Sequence, residues 1–146
     1  MPKVLLISSK THSYIAERQL QIAQPLLQKK QVKYDLLRVN QVVDLLPALT
    51  MVLESDDYEG IIVCGVIISN NIGAHIVYQE CLRYIYSTAG DFGLPMGSAI
   101  IYAESEASVD EAIEQDTVNA VLSCLSLIEL KADLEGNGDK GSRYQN

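Results

Sequence analysis

Residues 60 to 68 read GIIVCGVII, a run in which each residue is apolar or a glycine and β-branched side chains dominate. The run is too short for an ordinary buried helix and has the length and composition of a strand. A strand that is polar on neither face must be covered on both, which is the situation of a central strand in a parallel sheet with helices above and below. The flanking sequence supplies what such a strand needs. Val4 to Ile7 is a second continuously apolar run, followed by a polar loop from Ser8 to Ser13. From Tyr14 to Lys30, the residues Tyr14, Ile15, Leu20, Ile22, Ala23, Leu26 and Leu27 suit an amphipathic helix, which Pro25 is expected to kink or interrupt. A strand at Val32 to Val39, a helix at Val42 to Glu54 with its start blurred by Pro47, and a turn from Asp56 to Gly60 come next. After the central strand the pattern predicts a helix from Gly73 to Tyr86, an exit loop from Thr88 to Pro95, a strand from Met96 to Tyr102 and a last helix running to Leu134. Ser108 and Glu111 have the spacing of a capping box for that helix.

Strand and helix alternating in this way specify parallel pairing through right-handed crossovers. The expected fold is a flavodoxin-like α/β three-layer sandwich with a four-stranded parallel sheet and helices on both faces, in a single domain spanning residues 1–134. The remainder, EGNGDKGSRYQN from Glu135, has no apolar periodicity and is expected to be a mobile tail. No apolar stretch approaches the roughly 20 residues that cross a bilayer. The opening MPKVLLISSKTHS lacks a small-residue cleavage site, so a cytoplasmic protein is expected. Cys64, Cys81 and Cys124 are odd in number, widely spaced and set among apolar residues, which fits reduced core thiols better than disulfides or a zinc site; no metal is expected. With 11 Lys and Arg against 19 Asp and Glu, the net charge of −8 argues against nucleic acid and anionic membranes as partners and favours a small molecule or another protein.

Ligands of such sheets bind beyond the carboxyl ends of the strands, where strand order reverses. That directs attention to the loops Ser8 to Ser13, Asn40 to Asp44, Ser69 to Ala74 and Tyr102 to Ala107. In the third of these, GVIISNNIGAHIVYQE takes the central strand through a polar loop into a helix carrying His75. Imidazole titrates near neutrality and suits a general acid/base. The helix start offers backbone N–H groups from Gly73 to Ile76 that can hold an anion without any lysine, and the strand end at Ile67 and Ile68 can hydrogen-bond a ring through its backbone. Blander roles exist for the same residues: Asn70-Asn71 as a tight turn, His12 as a loop residue, Tyr78, Tyr84 and Tyr86 as packing or subunit contacts. Asp110, Glu111 and Glu114 suit a helix N-terminus. The sequence contains neither a nucleophile elbow nor a glycine-rich phosphate loop.

Gly65, Val66-Ile67-Ile68, the loop Ser69 to Ala74 and His75-x-x-Tyr78, with YEGIIVCG before them, LPMGSAII after them and VDEAIEQ and SLIEL in the last helix, resemble the 6,7-dimethyl-8-ribityllumazine synthase family. The resemblance extends from Val4 to Leu130. It implies condensation of 5-amino-6-ribitylaminouracil with 3,4-dihydroxy-2-butanone 4-phosphate, with His75 as acid/base and neither cofactor nor metal. The substrate-binding positions it implies are Thr11, Val42, Val43, Asp44, Ile67, Ile68, Ser69, Asn71, Ile72, Gly73, Ser98 and Gln115. It also implies a homo-oligomer, a pentamer or a pair of pentamers, with the pocket between adjacent subunits. Several positions depart from the family pattern. Thr11 stands where an aromatic residue stacks on the pyrimidine, Val42-Val43-Asp44 where Ala-Phe-Glu is usual, and Gln115 where an arginine is expected. The Asn-Lys-Gly turn before the last helix has no counterpart, Asp116-Thr117-Val118 joining the segments directly. These departures leave open a catalytically impaired homologue that binds a flavin or pyrimidine, or that serves as a structural oligomer.

Overall fold

In the computed structural model, which describes residues 3–55 and 57–136, the apolar runs pair into one parallel sheet. The strands are β1 (Lys3–Ser9), β2 (Lys33–Val39), β3 (Gly60–Ile68) and β4 (Met96–Ala103), and the helices are α1 (Ser13–Lys29), α2 (Leu45–Ser55), α3 (Ile72–Phe92) and α4 (Glu106–Glu135). A short 3-10 turn, Val42–Asp44, leads into α2. The strand order is β2-β1-β3-β4, so the central GIIVCGVII run is an interior strand as its composition requires. The expected α/β sandwich with a four-stranded parallel sheet is the observed fold.

Alternation along the strands divides the core into two layers. Leu5, Ile7, Ile61, Val63, Ile67, Met96 and Ile100 face α2 and α3, where Leu45, Leu49, Cys81 and Ile85 meet them. On the other face Val4, Leu6, Ile62, Cys64 and Ala99 pack with Leu20, Ala23 and Leu27 of α1 and with Ala120, Val121 and Cys124 of α4. Nearer the carboxyl ends, Val66, Ile101 and Ala103 meet Ile15, Val109 and Ile113.

The helices differ from expectation at their ends. α1 runs on through Pro25 without interruption. Pro47 sits in the first turn of α2, where a missing N–H removes no helical bond. α3 continues past Tyr86 to Phe92, because the residue that stops it is Gly93 in the left-handed conformation (φ 57°), with the Leu94 N–H returning to the Ala89 carbonyl at 2.9 Å. Thr88 to Phe92, expected as loop, is therefore helix. α4 begins at Glu106 under a Ser105 cap, whose Oγ accepts from the Ser108 N–H at 3.4 Å. Ser108 is thus inside the first turn and does not cap it. The expected tail lies, from residue 137 onward, outside the described residues.

One contact sets the distance between α4 and the sheet. A Cβ on Gly97 would fall 1.7 Å from the Ala120 carbonyl oxygen, a backbone atom with no freedom to move aside. Gly97→Ala is accordingly expected to lower stability by about 3 kcal/mol through overpacking. Gly90→Ala, in a helix and with nothing within 4 Å of its added methyl, should raise it by about 0.5–1 kcal/mol. Urea unfolding of the two variants checks both signs.

Candidate active site

The strand order places the crevice between β1 and β3. From β1 the chain goes to β2 on one side, while β3 and β4 lie on the other; α1 and α3 leave their strands on opposite faces of the sheet. The two central strands also end at different heights. The last β1–β3 pair is Ser8 with Cys64, whereas β3 continues beside β4 as far as Ile68 opposite Ala103. β3 thus projects past its β1 partner, and backbone groups on its β1 side are left without a strand to pair with.

Three loops surround this projection. After β1, Thr11 is half-buried and His12 exposed. His12 stands at the N-cap of α1 with a left-handed backbone (φ 51°, ψ 55°), and its Nε2 accepts from the Ile68 N–H at 3.4 Å. After β2, Val42 turns into the core beside Leu45, while Val43 is 47% exposed at the rim. The Asp44 carboxylate accepts from the Gln41 N–H at 2.9 Å and so holds the turn. Ile67 is buried and Ile68 half-buried.

The third loop carries the histidine. Ser69 Oγ accepts from the Asn71 N–H at 3.0 Å, and Asn71 Oδ1 accepts from the Gly73 N–H at 2.7 Å, making Asn71 the N-cap of α3. The Asn71 carbonyl takes the Ala74 N–H at 3.1 Å and the His75 N–H at 3.3 Å. This corrects the expectation of an open row of donors from Gly73 onward, because the first of them are already satisfied by Asn71. An anion binding there has to displace the asparagine side chain from Gly73. Ile72, 78% exposed, projects beside this cap.

His75 lies in the first turns of α3, half-buried. Its ring meets Tyr102 edge-on, centroids 5.0 Å apart, and Tyr78 at 6.3 Å, while the two tyrosine rings are 5.3 Å from each other. Among the described residues no side-chain hydrogen bond holds the imidazole, so the aromatic pair positions it and leaves its nitrogens for a ligand. Burial, with smaller contributions from Tyr86 and Asp116, pushes the Tyr78 phenol up, so it is a proton-bearing donor at neutral pH. Tyr102 entered the sequence reading only as a strand end and the start of the fourth ligand-side loop, with no role assigned to its side chain. Its signal was positional: opposite Ile67 at the carboxyl end of an edge strand, with its side chain on the α3 face.

Ser98 and Gln115 are elsewhere. Ser98 precedes the end of β4 by five residues, roughly 16 Å along the strand. With Tyr78, Tyr86, Asp116 and Asn119 it lines an open groove of about 220 Å³ on the outer edge of β4. Its Oγ is buried and lacks a hydrogen-bond partner among the described residues. Gln115, exposed on α4, donates through Nε2 to Asn119 Oδ1 at 3.0 Å. The predicted residues therefore fall in two places, at the carboxyl ends of the strands and on the β4 edge, with Tyr78 touching His75 and Tyr102 at the first and lining the groove of the second.

Other chemistry is scarce. The buried Cys64 and Cys124 thiols are pushed up to about 12, chiefly by burial, and Cys81 is raised by the same cause, so none is a ready nucleophile. Among the described residues no three His, Cys, Asp or Glu side chains are grouped to hold a metal, and no helix is long and apolar enough to cross a membrane. A larger cavity of about 550 Å³ lies at the amino ends of the strands, between Val52, Tyr58, Phe92 and Lys131, away from the strand ends where ligands of such sheets bind.

The model of the 6,7-dimethyl-8-ribityllumazine synthase family matches residues 1–132. Similar curated proteins include the 6,7-dimethyl-8-ribityllumazine synthase of Paramagnetospirillum magneticum, 28% identical over 146 aligned residues that cover 92% of this chain and 97% of that protein. The protein of the same description from Agrobacterium fabrum is 24% identical over 145 residues, covering 92% of this chain and 98% of its own length.

The Asn71 cap is directly testable. Asn71→Ala should cost about 1 kcal/mol and Asn71→Gly only a few tenths. Chemical denaturation of the two variants measures this, and equal, negligible losses would show that the cap does not stabilise α3.

Proposed function

The chain belongs to the 6,7-dimethyl-8-ribityllumazine synthase family, and on that premise we propose that it condenses 5-amino-6-ribitylaminouracil with 3,4-dihydroxy-2-butanone 4-phosphate in riboflavin biosynthesis. The observation that carries this reading is His75: an imidazole oriented by Tyr102 and Tyr78, free of side-chain hydrogen bonds among the described residues, beside the projecting end of β3.

The 5-amino group attacks the ketone and water leaves as the imine forms. His75 removes a proton from the carbon chain, phosphate departs, and the proton is returned as the ring closes with loss of a second water. The pyrimidine lies against the strand end, held by the backbone of Ile68 and packed beside Ile67, whose own N–H and C=O face β4. Val43 at the rim and Thr11 supply a less extensive face than a stacked aromatic. The departing phosphate sits at the start of α3, with Ser69, Asn71, Ile72 and Gly73 around it, and takes the Gly73 N–H from Asn71. These steps use no cofactor or metal.

The patch with Ser98 and Gln115 finds its place between copies. One protomer's carboxyl-end patch meets the β4 edge of the next in a head-to-tail ring, a pentamer or decamer, so that a complete pocket needs two chains. Exposed Ile72, Ile76 and Val77 on α3 and Leu127, Leu130 and Leu134 on α4 supply apolar surface for such an assembly. The three free, buried thiols suit a reducing cytoplasmic compartment.

Purified protein given both substrates should form the fluorescent lumazine, and His75→Ala should lower turnover about 100-fold or more. Undiminished turnover would remove His75 from the mechanism. If the unaltered protein forms no product, calorimetry with flavins and ribitylpyrimidines decides whether a binding function remains. The shared pocket has its own test. His75→Ala and Ser98→Trp, each impaired alone, should recover about a quarter of normal activity when unfolded and refolded together in equal amounts, as random head-to-tail mixing predicts. No recovery would place the whole pocket within one chain.

A further inference from the structure

Backbone N–H groups alternate in direction along a parallel strand. The Ser69 N–H reaches the carbonyl of Ala103, the last residue of β4, at 3.0 Å, so the Ile68 N–H points the other way, over the end of β1 where no strand remains. A side chain meets it there: Nε2 of His12, at 3.4 Å. The N-cap position makes this an unusual contact. An N-cap side chain ordinarily turns back onto its own helix. That of His12 makes no capping bond and crosses to the neighbouring strand, from a left-handed backbone that residues with a Cβ seldom adopt, histidine being among those that do so most often. Two local preferences are set aside for one long hydrogen bond on an exposed side chain, a combination that points to function at a site.

We propose that His12 is a displaceable occupant of the ring subsite. Its planar, acceptor-bearing imidazole stands on Ile68 as a ligand would. An incoming heteroaromatic ring with an in-plane acceptor, a carbonyl oxygen or unprotonated ring nitrogen, takes the Ile68 N–H and turns His12 outward. His12 thereby sets specificity: the subsite takes acceptors, and a ring presenting an N–H at that edge gains nothing to offset the bond it breaks. The proposal deepens the function given above and rests on it only for the identity of the natural ring; the contact between His12 and Ile68 stands apart from any activity.

Because Nε2 accepts, neutral His12 must carry its proton on Nδ1, and long-range nitrogen–proton NMR of the histidine rings should show that tautomer. His12→Gly keeps the left-handed backbone at no steric cost, and His12→Asn keeps it with a side chain too short to reach Ile68. In both, hydrogen exchange at the Ile68 amide should be about fivefold faster than in the unaltered protein, with Val63 in the strand interior unchanged. Parent lumazine, a planar dione, serves as the probe: it should slow Ile68 exchange again and bind His12→Gly about threefold to tenfold more tightly than the unaltered protein. Unchanged Ile68 exchange in both variants, weaker binding by them, or no lumazine binding to any form would overturn the proposal. A chain that makes no product yet shows the Ile68 response loses the proposed function and keeps the occupant; an active chain whose Ile68 is indifferent to His12 does the reverse.

Discussion

A strand whose side chains are buried from Ile61 to Ile67 needs cover on both faces, and one chain can provide that only by placing helices on both sides of the sheet. β3 is that strand, and most of the architecture follows from it. Placing α1 and α4 on one face and α2 and α3 on the other requires the helices after β1 and β3 to part, and their parting opens the crevice. The greater height of β3 then leaves backbone donors in that crevice that no strand satisfies. Core burial and the ligand-facing edge are thus two results of one arrangement.

Much of this was legible in the residues. GIIVCGVII gave its own boundaries, since composition changes abruptly at both ends, and the neighbouring strands were found to within two residues at each end. Helix ends were less legible, because they depend on conformations that several residues can adopt. TAGDFG contains two glycines, and only the left-handed φ of Gly93 shows which one stops α3. Likewise Ser105 and Ser108 are both capable caps; the place where β4 ends decides between them. At the site, sequence pointed to His75 and its loop, but nothing in SNNIGA revealed that Asn71 would satisfy the donors of its own helix. The tyrosine that braces His75 and the histidine that meets Ile68 come from segments distant in sequence, and their nearness depends on strand register, which no local pattern encodes.

On the proposed function, the site combines a retained centre with an altered rim. Backbone recognition survives replacement of side chains, so the strand end can keep its role while Thr11 and Val43 stand where larger groups are usual in the family. Charge recognition does not survive in the same way. On the proposed function, with Gln115 in place of an arginine and Asn71 occupying the helix start, a phosphate would depend on the backbone and on exchange of one internal hydrogen bond for another. On the β4 edge the Ser98 hydroxyl lies near Tyr78 and Tyr86 with no hydrogen-bond partner among the described residues.

The position of α4 has a consequence for how the chain comes into being. It follows all four strands in the chain, yet Ala120, Val121 and Cys124 cover Ile62, Cys64 and Ala99, and the Ala120 carbonyl rests on Gly97. During synthesis, then, β3 and β4 leave the ribosome with the part of that face not covered by α1 still open, until α4 follows. That apolar surface needs either fast completion or a chaperone's protection.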